Sequence, residues 1–332
     1  MLRIKLCLVF IVLILLPLFN MSARENVFQK KNIKIGLIGK SKSNPVFIAA
    51  YAGARVAAQE LGNKMGVEVS IEWKTPEIED ANKQSEAIES LIKLGVAGIA
   101  ISCSDASTVT PSINKAVEMN IPVVCFDSDA PKSKRFAYYS INNETMGKMM
   151  MAEMAALLGE KGTIAILGGN KNAPNLQARI NAVINELNNY PQIKLAENGV
   201  VYNEEVPEKA AEIVNKVQTS LPGIDGWIFV GGWPLFIKNA LKWSPGKVKI
   251  VACDALPSEL DYLENGYVQV LLAQHCFLWG YKSVELLLDK IVLDQMPKET
   301  FVEAPITRVT RENLEKWSMN WKKWLLKEAV YK

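Results

Sequence analysis

One pattern constrains this chain more than any other. Short, nearly unbroken apolar runs alternate with segments of helical periodicity, and the series occurs twice. The first series reads as strand 33–39, helix 45–61, strand 67–73, helix 81–94, strand 98–102, helix 108–119 and strand 121–126. The second begins with helix 146–158 and strand 163–167, and continues with helix 176–187, a strand within 194–202 and helix 208–217. Strands 227–230, 248–253 and 267–273 complete it. Strands that are apolar on both faces need cover on both faces, which mostly parallel sheets flanked by helices provide. The expected fold class is therefore α/β, with two similar doubly wound parallel-sheet lobes. No long Gly/Ser or Pro-rich linker divides the series, so several short crossings are expected to join them.

The first residues stand apart from this pattern. Arg3 and Lys5 precede the uncharged run 6–20, which has the length of a signal-peptide apolar core and is short for a membrane span. Small residues follow at Ser22 and Ala23, so cleavage is expected near Ala23. An uncleaved membrane anchor is the alternative. Cys7 lies too early to be a lipoprotein cleavage site. The protein is then exported, and a disulfide between Cys103 and Cys125 is permissible, although spacing cannot supply the geometry it needs.

Composition removes several classes. The net charge of +3 over 332 residues, with both signs interspersed, gives no nucleic-acid signal. Gly39-Lys40-Ser41 has the ending of a phosphate loop, but Lys34 stands where the motif needs its first glycine. Asp127-Ser128-Asp129 has the form of an acidic metal pair without further oxygen ligands. The single histidine, His275, lies beside an apolar strand with no hydrolase or zinc motif around it. No enzyme, metal or cofactor is expected. The C-terminal segment 314–325 places Leu314, Trp317, Trp321 and Trp324 on one helical face, as in a final helix packed on its own lobe.

The positive signal is where polar residues fall. Open α/β sheets bind ligands outside the carboxyl ends of their strands. Those ends carry Lys40, Ser43 and Asn44, then Ser102 and Asp105, then Asp127 and Asp129. The second series offers Asn170, Asn172 and Arg179, then Gly231-Gly232-Trp233, Asp254 and Gln274. Planar Asp, Asn, Gln and Arg side chains can each grip two adjacent hydroxyls, and Phe47 and Trp233 can cover an apolar ring face. The rival reading is that strand-end Asp and Asn are helix caps.

In the order and spacing of these stretches, the chain resembles the periplasmic sugar-binding proteins of the ribose-binding type. The matching segments run from 44–54 through 80–102 and 121–147 to 162–169, 253–274 and 309–313. The resemblance implies a type I periplasmic binding fold with lobes 32–139 plus 275–305 and 140–274 plus 306–332. Hinge crossings would fall near Ser140, Gln274 and Ile306. It implies a monomer that captures a small ligand, a monosaccharide, for an ABC permease, with Lys40, Asn44, Phe47, Asp127, Asp129, Arg179, Trp233, Asp254 and Gln274 at the site. A receptor of the same fold reporting a sugar or autoinducer-2 to a membrane sensor is the alternative, and an exported carbohydrate enzyme the more distant one. Ribose binders carry two aromatics after Asn-Pro, where this chain has Val46 and Phe47. They carry Arg where Ser128 stands, and Asn where Gly231-Gly232-Trp233 stands, which puts ribose itself in doubt.

Overall fold

The computed structural model describes residues 32–330, with side chains to residue 327. The expected leader, its cleavage near Ala23 and the alternative anchor lie outside the described residues. Among the described residues no helix is long and apolar enough to cross a membrane.

The first sheet is formed by β1 (Asn32–Ile38), β2 (Glu68–Trp73), β3 (Gly98–Ile101), β4 (Val123–Phe126), β5 (Ala137–Ser140) and β11 (Phe301–Glu303). Its order is β2-β1-β3-β4-β5-β11, parallel throughout. The second contains β6 (Gly162–Gly168), β7 (Ile193–Tyr202), β8 (Gly226–Phe229), β9 (Lys249–Cys253), β10 (Val270–Ala273) and β12 (Thr307–Val309). Its order is β7-β6-β8-β9-β10-β12, parallel except for β12. Both repeat the 2-1-3-4-5 winding of doubly wound sheets, whose switch point lies between the first and third strands. The chain therefore has the two parallel-sheet α/β lobes expected of it.

The helices are α1 (Pro45–Met65), α2 (Ala81–Lys93), α3 (Ala106–Glu118), α4 (Asn143–Leu158), α5 (Pro174–Leu187), α6 (Pro207–Ser220), α7 (Pro257–Glu264), α8 (Cys276–Leu293) and α9 (Leu314–Val330). Many start where the sequence supplies an N-terminal signal. Asn44, Asp80, Asp105 and Asn142 accept backbone N–H bonds as caps, and Pro45, Pro174, Pro207 and Pro257 stand at the first helical turn. Trp233–Phe236 forms a short 3-10 turn after β8.

The chain passes between lobes after β5, after β10 and between β11 and β12. α8 follows the second sheet's β10 but packs on the first lobe, against α1, β3, β4 and β5. Its contact with α1 is unusually close. A Cβ built on Gly53 would stand 1.8 Å from the Phe277 carbonyl oxygen, and one on Gly280 1.8 Å from that of Ala50. Small residues let helix backbones approach closely, and here each helix presents a glycine at the contact. At the second crossing, His275 Nε2 and Thr307 Oγ1 are 3.0 Å apart, tying the second and third connections together.

The final helix reaches both lobes. Trp317 and Trp321 both donate their indole N–H groups to the Ala255 carbonyl, at 2.8 and 2.9 Å. Trp324 stacks on Phe277, with ring centroids 5.3 Å apart, and Lys327 pairs with Glu60 of α1 at 2.9 Å. Cys103 and Cys125 are free buried thiols, with sulfurs 3.8 Å apart on neighbouring strand ends.

Overpacking a tight contact typically costs about 1–3 kcal/mol. Gly280→Ala should therefore lower stability by at least the upper part of that range, because its nearest obstacle is backbone and cannot rotate away. Urea unfolding would read this; an unchanged midpoint would show that α1 and α8 separate freely.

Candidate functional site

The carboxyl ends of the two sheets face each other across a narrow cavity of about 20 Å³. Its walls include Lys40, Asn44, Phe47, Asp127 and Trp279 from the first lobe, and Asn175, Arg179, Glu205, Trp233, Asp254 and Gln274 from the second. Eight of the nine residues selected from the sequence are thus brought together: Lys40, Asn44, Phe47, Asp127, Arg179, Trp233, Asp254 and Gln274. Asp129 is placed elsewhere. Both of its carboxylate oxygens face the Arg135 guanidinium, and it is not part of the cavity wall. A charged partner six residues away holds it on its own loop, which sequence position alone does not reveal.

The two principal carboxylates occupy equivalent places. Asp127 follows β4 and Asp254 follows β9, both in the left-handed backbone region, with φ of 56° and 88°. Each donates its backbone N–H to a carbonyl on the adjoining strand, Tyr139 for one and Leu272 for the other. Such a conformation is strained for a non-glycine residue. Here it turns each side chain off the sheet edge into the cavity wall. Asp127 accepts hydrogen bonds from Ser102 Oγ at 2.8 Å and, across the cleft, from Asn175 Nδ2 at 2.9 Å. Asp254 accepts from the Gly232 backbone at 2.9 Å and from Gln274 Nε2 at 2.6 Å.

Arg179 is 1 % exposed and reaches the cavity from α5. It donates to Asn143 Oδ1, the Val230 carbonyl and Gln274 Oε1, each at 2.8 Å, and lies 4.0 Å from Asp127. Asn44 answers both readings of a strand-end Asn: its Oδ1 caps α1 by accepting the Val46 N–H, and the same side chain lines the cavity. Trp233 is also wall and packing at once. Cβ atoms on Gly169 and Gly231 would lie 2.7 and 2.5 Å from its ring, so bare backbone on both strand ends makes room for the indole. Gln84, buried on α2, donates to the carbonyls of Gly39 and Ser102 and accepts from Ser104 N–H, fastening the ends of β1 and β3 together.

Sequence reasoning missed Glu205, Asn175 and Trp279. Glu205 follows β7, a strand edge whose polar residues it shared with several solvated ones. Asn175 lies one position into α5, and Trp279 on a helix that belongs to the other lobe's core. Lys40 Nζ meets Glu205 Oε1 across the cleft at 3.5 Å, and Asn170 Nδ2 donates to Glu79 Oε1 at 2.9 Å beside it. Burial alone would lower the Lys40 pKa, but the carboxylates of Glu205, Glu79 and Asp127 outweigh it and raise it above the ordinary lysine value. Burial pushes the Glu205 carboxyl up to about 7 against the opposing pull of Lys40. Burial likewise raises Asp254, with Arg179 and its hydrogen bonds opposing. Among the described residues no cluster of three or more His, Cys, Asp or Glu side chains could hold a metal ion.

Two matched sheets whose strand ends converge on a buried polar cavity define a bilobal binding protein. The chain belongs to the periplasmic binding protein domain family, whose sequence pattern matches residues 35–293. Its relatives are binding proteins rather than enzymes. It is 28 % identical over 145 residues to the ribose import binding protein of Bacillus subtilis, covering 44 % of this chain and 45 % of that one. It is 26 % identical over 162 residues to the D-apiose import binding protein of Actinobacillus succinogenes, covering 48 % and 50 %. The chain spans about half the length of these curated relatives. Among solved structures, it resembles an ABC transporter solute-binding protein from Burkholderia graminis in complex with D-arabinose. That match has 29 % identity and a TM-score of 0.78, and covers 86 % of this chain and 97 % of that one.

Glu205 gives the site a signature in pH. Its carboxyl titrates near 7 in the folded protein against an ordinary 4.5. The folded state therefore holds an extra proton between those values, and stability falls as pH rises through that window. Relative to Glu205→Gln, the wild-type protein should lose stability from about pH 4.5 to 7, by at most ~1.4 kcal/mol per pH unit, and run parallel above. Paired thermal melts across pH would read this. Parallel curves throughout would show that Glu205 titrates in the folded protein as it does in the unfolded chain.

Proposed function

We propose that this protein is an exported solute-binding protein. It captures a monosaccharide between its lobes and presents it to an ABC importer. The observation that carries the reading is the convergence of carboxylates, cations and aromatic rings from both sheets on one buried cavity. Asp127, Glu205 and Asp254 are acceptors for sugar hydroxyls, Lys40 is a donor, and Phe47 and Trp233 offer ring faces. This donor and acceptor mixture suits a small polyhydroxylated molecule, and the D-arabinose complex of the Burkholderia graminis relative supports the same ligand class. Export rests on the family and on the character of residues 1–23.

In this reading the lobes are 32–139 plus 275–305 and 140–274 plus 306–332, with α9 lying across both, and they rotate about the three crossings. The Asp127–Asn175 and Lys40–Glu205 contacts span the space a ligand would fill. The ligand takes their place: hydroxyls bridge Asp127 to Asn175 and Lys40 to Glu205, so that bonds made across the cleft become bonds made through the sugar. The same geometry serves a receptor that reports its ligand to a membrane sensor, and the two roles differ only in what recognises the closed form.

A ligand that binds only the folded protein raises its melting temperature. Purified protein screened against D-arabinose, D-ribose, D-xylose and D-galactose should show such a rise for at least one of them. Asp127→Ala should then weaken that sugar by several kcal/mol, as expected for loss of charge-assisted bonds in a buried site. Solution scattering should show a smaller radius of gyration at saturation. The reading fails if no monosaccharide stabilises the protein, or if a bound sugar is chemically turned over.

A further inference from the structure

The first-lobe wall of the cavity contains a polar group that the protein leaves unanswered. Trp279, on the first turns of α8, is 1 % exposed, lines the cavity, and buries its indole N–H with no hydrogen-bond partner. Three other buried indoles are answered. Trp227 donates to Gln218 at 2.7 Å, and Trp317 and Trp321 to the Ala255 carbonyl. Trp73 and Trp243 also have unanswered N–H groups, but both residues are half-buried and stand outside the cavity. A buried donor without an acceptor costs free energy, so such a group persists where something else supplies the acceptor.

Its neighbours fix what the group offers. The Trp279 ring lies 6.1 Å from Phe47 and 6.3 Å from Phe126, forming an aromatic wall opposite Trp233. Val46 leaves that wall one ring short after Asn-Pro, and the second ring arrives from α8 instead. Asp127, Glu205 and Asp254 accept hydrogen bonds and serve hydroxyl protons. Arg179 is already committed to Asn143, Val230 and Gln274. An oxygen that carries no proton, such as the ring oxygen of a pyranose or furanose, needs a donor, and Lys40 sits at the other side of the site against Glu205.

Resting on the monosaccharide reading above, we propose that the Trp279 indole N–H donates a hydrogen bond to an oxygen of the bound sugar and makes an acceptor at that position a requirement for tight binding. Trp279 is then both a stacking surface and a specificity-determining donor, held on the helix that begins at the second crossing.

The test uses the full chain with ¹⁵N-labelled tryptophan, titrated with D-arabinose and D-ribose. Trp279→Phe, which keeps a ring and removes the N–H, identifies the Trp279 indole signal by its loss; contacts to Phe47 and Phe126 protons identify it independently should that variant fold poorly. The expected result is a downfield shift of the Trp279 N–H at saturation with the sugar that binds. Trp279→Phe should weaken that sugar about tenfold, or 1.4 kcal/mol, a loss of affinity separate from whatever the smaller buried ring takes from the melting temperature without sugar. A deoxy analogue lacking the contacted hydroxyl should abolish the shift, whereas a shift that survives every single-hydroxyl deletion assigns the acceptor to the ring oxygen. A sugar that binds while the Trp279 signal stays fixed and Trp279→Phe keeps full affinity overturns the proposal alone. If neither sugar, nor any that stabilises the protein, can be found, the monosaccharide reading fails and this inference falls with it.

Discussion

The buried guanidinium of Arg179 is the fixed point around which the second half of the site is arranged. A charge removed from water must find hydrogen bonds and opposite charge close by, or the fold pays heavily for it. Arg179 meets that demand through Asn143 at the start of α4, the Val230 carbonyl at the end of β8, and Gln274 at the end of β10. Gln274 in turn orients Asp254. Four separate segments are thus held in register by one side chain, and the remaining charge of the group is directed across the cleft at Asp127. The first lobe's buried cation, Lys40, is spent on Glu205 across the cleft instead, while Ser102, Tyr138 and Ser140 hold Asp127 and its carbonyl through neutral hydroxyls. The asymmetry gives the second lobe the rigid half of the site and leaves the first lobe's carboxylate available to a ligand.

Much of this arrangement was legible in the chain because two periodicities coincide. Apolar runs of four to seven residues mark parallel strands, and each must end where the chain turns. The polar residue just past such a run therefore lies at the sheet's carboxyl edge whatever the details of packing. That logic locates Lys40, Asp127, Asp254 and Gln274. It also captures Asp129, two residues beyond β4, because it cannot see that Arg135 folds back upon it. Asn175 and Trp279 escaped for a different reason. Their positions depend on how α5 and α8 are rotated against the sheets, and α8 sits on the lobe opposite to the strand that precedes it. Helix rotation is set by tertiary contacts such as the Gly53–Gly280 approach, which no local pattern encodes.

The short elements escaped for a related reason. β11 and β12 are three residues long, below the length at which alternation can be read, and they exist because the two sheets each present an open edge. The irregular register of β6 against β7 between Ile164 and Ile166 likewise arises from pairing, not from any residue in the strand alone. Glu205 belongs to this group as well. In sequence it is one of two adjacent glutamates, Glu204 exposed and paired with Lys209 and Glu205 buried, and only the direction of the turn after β7 separates them.

The tryptophan-rich α9 gives the molecule a back as well as a mouth. One end is fastened to the carbonyl next to Asp254, the middle to the His275 and Phe277 rings beside the second crossing, and the far end to Glu60 on the first lobe. If the lobes rotate as proposed, a helix bonded to both of them beside a crossing ties that rotation to its own contacts. Spread of the lobes would therefore be governed by release of Trp324 and Lys327 as much as by loss of contacts inside the cleft. The stiffness of the closed form would be adjustable from residues that never meet the ligand.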